Sequence, residues 1–215
     1  MQLTHAIDGY RYARYLFFRW RDELCVLHRL GLAFSFACLT GLTAQIRIPL
    51  PFTPVPVTGQ VLAVLLSGTL LGGYYGGISQ MLYLGLGVVG IPWFTGWNSG
   101  LAAIAGITGG YIIGFVPAAF MIGWLTDRYS SARRFHFQLL LMATGVIIIY
   151  IFGAAQFAIV TNTGFLKAMN QAVFPFIPVD LMKAAVAAGM SASILPKHSL
   201  RPDFMEPQMD TDKHR

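Results

Sequence analysis

The stretch Ile177-Pro178-Val179-Asp180-Leu181-Met182-Lys183-Ala184-Ala185-Val186-Ala187-Ala188 sets an Asp and a Lys three residues apart inside the last long apolar run of the chain. Read as a helix, positions i and i+3 share a face, so Asp180 and Lys183 point the same way. In a bilayer each such charge costs about 2.5–3.5 kcal/mol at mid-helix depth, so it faces a partner, a cavity or a ligand. Two readings follow. The pair can neutralise itself and serve only helix packing, or it can be the polar part of a buried binding site.

The rest of the chain places that helix in a membrane. Of 215 residues, 55% are hydrophobic and 11% charged, and the mean hydropathy is +0.60. A soluble domain carries about 25% charged residues. Several apolar runs reach the roughly 17–25 residues that cross a hydrocarbon core. The expected fold class is an all-α integral membrane protein, a bundle of six transmembrane helices. Residues 1–28 read as a basic and aromatic juxtamembrane segment, 29–195 as the six-helix domain and 196–215 as a polar tail. The first 24 residues, rich in Arg and aromatics, do not read as a secretory signal, which shows a short basic start and an apolar core. Cys25 and Cys38 fall on one helical segment about 20 Å apart, too far to bridge. They make no metal-ligand pattern, and no cofactor is implied.

Taken in order, the N-terminal segment interleaves Arg11, Arg14, Arg19 and Arg21 with Tyr10, Tyr12, Tyr15, Phe17, Phe18 and Trp20. That mixture suits anionic lipid head groups next to a span and argues against a nucleic-acid arm. The first span is expected over Arg29 to Ile46, with Ala33, Ala37 and Gly41 repeating every four residues. Such a small-residue stripe admits a close helix, either from this chain or from a docked partner subunit. In the run from Arg47 to Gln60, four prolines fall within eight residues, which excludes helix interior. We read it as a stiff surface loop that must bury Leu50, Phe52 and Val55, as a lid over a pocket would. Further spans are expected over about 57–71, from the Gly72–Gly77 turn to Ile91, over 104–125 and 139–160, and from Pro175 or Pro178 to Leu195.

Six spans put both termini on one side, and charge says which. Arg11, Arg14, Arg19, Arg21, Arg29, Arg128, Arg133, Arg134, Lys197, Arg201, Lys213 and Arg215 share that side, whereas Arg47 and Lys167 lie opposite. The positive-inside rule makes the termini cytoplasmic in a multi-pass protein of the cell membrane. The Pro-rich loop, the loop Trp93–Gly100 and the start of the last span then share the outer face. Phe52, Thr58, Gln60, Trp93, Trp97, Asn98 and Tyr111 come to the end that holds Asp180 and Lys183. An apolar pocket with a few oriented polar groups is how small-molecule sites are built. No catalytic set is visible: all five His lie in or near the cytoplasmic regions, and no nucleophile elbow or phosphate loop occurs. An enzyme is not expected.

The run Ala44-Gln45-Ile46-Arg47-Ile48-Pro49-Leu50-Pro51-Phe52-Thr53-Pro54-Val55-Pro56-Val57-Thr58 closely resembles the signature of the BioY family of biotin transporters. So do Gly87-Val88-Val89-Gly90-Ile91-Pro92-Trp93-Phe94, Thr108-Gly109-Gly110-Tyr111-Ile112-Ile113-Gly114-Phe115 and Pro178-x-Asp180-x-x-Lys183. The resemblance covers roughly residues 30–195 in order. It implies a six-helix substrate-binding S component of the energy-coupling factor (ECF) type, holding biotin near the outer face under the loop after the first span. It maps ligand contacts onto Asp180 and Lys183 and implicates Tyr83, Asn98 and Tyr111. It also implies a transmembrane coupling protein and two ATPase subunits as partners, docked through Ala33, Ala37 and Gly41. A solitary carrier and self-association into a homo-oligomer stay open.

Biotin suits the residues chemically. Its ureido group offers two N–H donors and a carbonyl acceptor, which Asp180 and Lys183 could meet. Its thiophane ring and valeryl chain would pack on Phe52, Trp93 or Trp97. Its carboxylate needs donors, for which Asn98, Tyr111, backbone N–H groups or Lys183 itself are candidates. The competing readings are a membrane scaffold whose Asp180–Lys183 pair is structural, and transport of another small vitamin.

Overall fold

The structure, a computed structural model, describes Leu16, Arg19 to Arg21 and residues 23–196. Most of the Arg- and aromatic-rich segment, and the tail from Lys197, lie outside the described residues. The chain runs as α1 (Val26–Ala44), a hairpin of β1 (Arg47–Leu50) and β2 (Thr53–Thr58), α2 (Gln60–Leu71), α3 (Gly73–Val89), the short α4 (Leu101–Ala105), α5 (Gly109–Arg128), a 3-10 turn (Ser130–Arg133), α6 (Phe135–Thr161), α7 (Phe165–Ala172) and α8 (Ile177–Ile194). Helix α5 packs against α2, α3, α4 and α6, and α8 closes against α2 and α6.

Helix α2 explains the arrangement. It is apolar on every side, and a helix of that kind belongs inside; all its residues except Leu62 and Leu70 are buried. At its centre Gly68 meets two neighbours almost backbone to backbone. A Cβ on Gly68 would stand 2.5 Å from the Ala119 carbonyl oxygen of α5, and one on Gly76 of α3 would stand 2.8 Å from the Gly68 Cα. One on Gly123 of α5 would collide with the Gly68 carbonyl oxygen. Only residues without a side chain permit this three-helix crossing.

Helices α1, α5, α6 and α8 are long and apolar enough to cross a membrane. Their bounds match the expected spans to within a few residues, with two exceptions. The second span is expected from Val57, but the first residues of that stretch are strand, which leaves an α2 of 12 residues. The fourth is expected from Ile104, whereas α5 starts at Gly109 after the separate turn of α4. Pro117 lies inside α5, where neighbouring helices can supply what its missing N–H removes.

The Pro-rich run is a β-hairpin, so the protein is mostly helical without being all-α. Arg47 pairs with Thr58, Ile48 with Val57 and Leu50 with Thr53, antiparallel, with an irregularity at Pro49. Proline sets an extended backbone at little cost where a strand edge stays unpaired, and a two-stranded ribbon has two such edges. The pleat turns Thr53, Val55 and Val57 inward. Val55 is buried as expected and Leu50 is half-buried, but Phe52 at the tip is 59% exposed.

The bundle has two chemically distinct ends. At one, the Arg21 guanidinium donates to Asp127 Oδ1 at 3.0 Å, and Asp127 Oδ2 accepts the Gly73 N–H at 3.3 Å. These contacts tie the approach to α1, the α2–α3 turn and the end of α5. At the other end, the hairpin meets the start of α8, and Tyr111 near the start of α5 donates to the Ala172 carbonyl at the end of α7.

Candidate functional site

Asp180 lies in the first turn of α8, after Pro178, which favours helix starts through its fixed φ. A carboxylate there is favoured by the positive end of the helix dipole. It is 4% exposed, and each of its two oxygens accepts one hydrogen bond. Its Oδ1 accepts from Lys183 Nζ at 2.7 Å, and its Oδ2 accepts from the Tyr150 hydroxyl of α6 at 2.7 Å. Lys183 Nζ also donates to the Thr58 carbonyl at 2.7 Å, which fastens the hairpin to α8. One ammonium N–H and further carboxylate lone pairs remain for a ligand.

This cluster faces a cavity of about 50 Å³ whose walls include Val57, Thr58, Gln60, Tyr111, Tyr150 and Phe176. That is room for a few waters, at roughly 10–15 Å³ each. A bicyclic ligand requires the walls to part. Of the residues that the sequence singles out, Thr58, Gln60, Tyr111, Asp180 and Lys183 come together on this one cavity.

The others are placed differently. Tyr83 stands behind the wall, its hydroxyl accepting from Gln60 Nε2 at 2.7 Å and donating to the Trp93 carbonyl at 3.3 Å. Trp93 is buried and returns Nε1–H to the Tyr83 carbonyl at 2.9 Å, so this pair supports Gln60 instead of lining the cavity. Gln60 Oε1 in turn accepts from Thr58 Oγ1 and Thr95 Oγ1 at 3.0 and 3.2 Å. Asn98 is exposed and braces its own turn through Nδ2–H to the Thr95 carbonyl at 3.0 Å. Phe52 and Trp97 are both exposed. Trp97 holds a left-handed φ of 62°, fixed by its N–H donating to Gln45 Oε1 at 3.1 Å.

Sequence reasoning passed over Tyr150. The available signal was a hydroxyl in the middle of the apolar run Ile147-Ile148-Ile149-Tyr150-Ile151, which needs a partner when buried. Ala33, Ala37 and Gly41 are buried within the chain, and a Cβ on Gly41 would stand 2.9 Å from Trp93 Cβ. The stripe therefore packs α1 inward. As it stands, it offers no surface to a partner; Gly31 and Ser35 lie on the exposed face.

A helical membrane bundle with a small, mostly apolar cavity at one end, holding a buried ion pair and closed by a hairpin, has the form of a small-molecule carrier. Residues 18–199 match the BioY family. The chain belongs to that family. It is 35% identical over 161 residues to the biotin transporter BioY of Rhizobium etli, covering 72% of this chain and 86% of the relative. It is 37% identical over 153 residues to the biotin transporter BioY of Thermotoga maritima, covering 71% and 87%. Its fold is similar to the crystal structure of the S-component for biotin from an ECF-type ABC transporter, with a TM-score of 0.71 at 28% identity over 77% of this chain and 89% of that one.

Proposed function

We propose that this protein binds biotin in the Asp180–Lys183 cavity and carries it across the cell membrane as the substrate-binding component of a vitamin transporter. Family membership supports the substrate. The observation that carries the site is the buried, hydrogen-bonded Asp180–Lys183–Tyr150 cluster at the end closed by the two-stranded hairpin. The ureido N–H groups would donate to Asp180, and the free Lys183 N–H would donate to the ureido carbonyl. Thr58, Gln60 and Tyr111 would hold the rest. All six longer helices cross the membrane in this reading, with the short α2 buried by its neighbours. The arginine-rich end faces the cytoplasm in this reading, and the positive-inside rule puts both termini on that side as well. A transmembrane coupling protein and two ATPases would power release, docking on the face of α1 that carries Gly31 and Ser35.

The test is isothermal titration of biotin into the purified chain. Asp180→Asn and Lys183→Ala should abolish binding. Because removing one partner of a buried pair costs about 3–5 kcal/mol, the swap Asp180→Lys/Lys183→Asp is the companion variant. It keeps the attraction and should still lose biotin. A swapped protein that binds normally would reduce the pair to a structural role and favour the scaffold reading.

A further inference from the structure

Arg47 opens β1 at the end of the bundle that holds the Asp180–Lys183 cavity. Its cross-strand partner is Thr58, which lines that cavity and whose carbonyl takes Lys183 Nζ. Residues directly opposite on an antiparallel ribbon share a face, so Arg47 leaves the hairpin on the side of Thr58. Its guanidinium reaches the tip of the loop Trp93–Gly100. The point where a Cβ on Gly96 would stand lies 2.6 Å from Arg47 Nη1 and 3.7 Å from Asn98 Nδ2. Gly96 has a φ of 76°, and a side chain there would displace the guanidinium. Thr95, next to it, lines the cavity, so Arg47 stands at the rim. The loop beneath is held in shape. Phe94 N–H donates to the Asn98 carbonyl at 3.0 Å, and Gln45 Nε2 donates to the Trp93 and Phe94 carbonyls at 3.2 and 3.1 Å.

Arg47 is exposed, and among the described residues its side chain has no hydrogen-bond or ion-pair partner. The sequence explains why. Between Glu23 and Lys197 it holds only two acids. Asp127 is at the opposite end with Arg21, and Asp180 is taken by Lys183 and Tyr150. Asn98 gives one Nδ2–H to the Thr95 carbonyl and has a second to offer. Two donor groups therefore converge on Gly96, and an anion for them comes from outside the chain. A guanidinium matches a carboxylate with two parallel N–H bonds. Biotin carries its ureido group and its carboxylate at opposite ends, joined through the thiophane ring and the valeryl chain.

We propose that Arg47, with Asn98 beside it, reads the biotin carboxylate at the cavity mouth; the inference rests on the ureido end lying at Asp180 and Lys183. Recognition is then divided. The buried pair reads the ring, and the rim selects an ionised tail over a neutral one. A lipid phosphate has the same charge chemistry, and the experiment separates the two sources.

The test is isothermal titration of the full chain in detergent with biotin and with biotin amide, a neutral ligand altered only at that end. The unmodified protein should bind biotin about tenfold more tightly than the amide, the low end for hydrogen bonds to a charged group because Arg47 is exposed. Arg47→Gln should remove most of that preference and leave the affinity for the amide unchanged. Arg47→Lys should keep part of it, as a cation without the planar fork. An intact preference in Arg47→Gln overturns the proposal. Equal losses for both ligands also overturn it, since they make Arg47 a support of the hairpin. If Arg47→Gln does not fold, the unmodified protein decides: equal affinity for biotin and its amide overturns the carboxylate site. A preference that disappears on addition of phosphatidylglycerol gives the guanidinium to a lipid phosphate and overturns it as well. Failure of the unmodified protein to bind either ligand defeats the biotin reading itself, an outcome distinct from equal binding of the two.

Discussion

Tyr150 gives Asp180 a second donor from a different helix, so the carboxylate is held from α6 as well as from α8. A hydrogen bond to a charged group is worth about 1.5–3 kcal/mol. Tyr150→Phe should therefore lower the thermal midpoint in detergent and weaken biotin affinity about tenfold or more. An unchanged titration would remove Tyr150 from the site. A second residue-scale prediction concerns Cys25, which is exposed, with its Sγ 2.9 Å from His28 Nδ1. Hydrogen bonds from His28, the backbone N–H first and then the ring, hold the Cys25 thiol below its ordinary value. More thiolate is then present near neutral pH, so alkylation should rise at a lower pH than for a free thiol. His28→Ala should move that profile upward, as rate measurements with iodoacetamide would show. At this scale, Asp180 and Lys183 were legible because charge in an apolar run is costly whatever the fold. Tyr150 is amphipathic and common in spans, so its role emerges only when α6 meets α8. Asn98 and Phe52 were assigned from the loops they occupy, and a loop does not disclose which way its side chains turn.

Helix positions were legible from apolar runs, and the glycine crossing shows what those runs omit. Hydropathy does not distinguish Gly68, wedged against the α5 backbone, from Gly85, where an added Cβ would meet nothing within 4 Å. Gly68→Ala should destabilise by about 1–3 kcal/mol through overpacking, whereas Gly85→Ala should stabilise by about 0.5–1 kcal/mol by favouring helix. Thermal midpoints of the two variants in one detergent check both signs. The hairpin was half legible. Its prolines excluded helix, but strand pairing depends on a partner segment and a pleat that composition does not state. Thr53 Oγ1 donates to the Gln171 carbonyl at 2.7 Å and so links the hairpin to α7. A net hydrogen bond contributes about 0.5–1.5 kcal/mol. Thr53→Val should accordingly speed biotin dissociation severalfold in stopped-flow fluorescence; an unaltered rate would mean that the hairpin does not gate the cavity.

For the whole molecule, charge distribution reaches further than any single contact. The arginine-rich end carries Arg19, Arg21, Arg29, Arg128, Arg133 and Arg134 among the described residues. Cys25 lies at that end, so a membrane-impermeant maleimide should label it in inverted vesicles and leave it unlabelled in intact cells. The reverse pattern would invert the proposed orientation. Biotin uptake by cells expressing this chain alone, compared with cells that add a coupling protein and ATPases, decides between a solitary carrier and a subunit. The buried pair bears on the energetics of either route. Asp180 and Lys183 cancel at 2.7 Å, so any displacement of α8 along the membrane normal moves no net charge through the field. A bound carboxylate anion changes that, since one charge crossing 100 mV is worth about 2.3 kcal/mol. The empty carrier should therefore cycle independently of membrane potential, while a loaded one, inside-negative, would be driven against its cargo's charge unless a donor in the site or an external energy source offsets it.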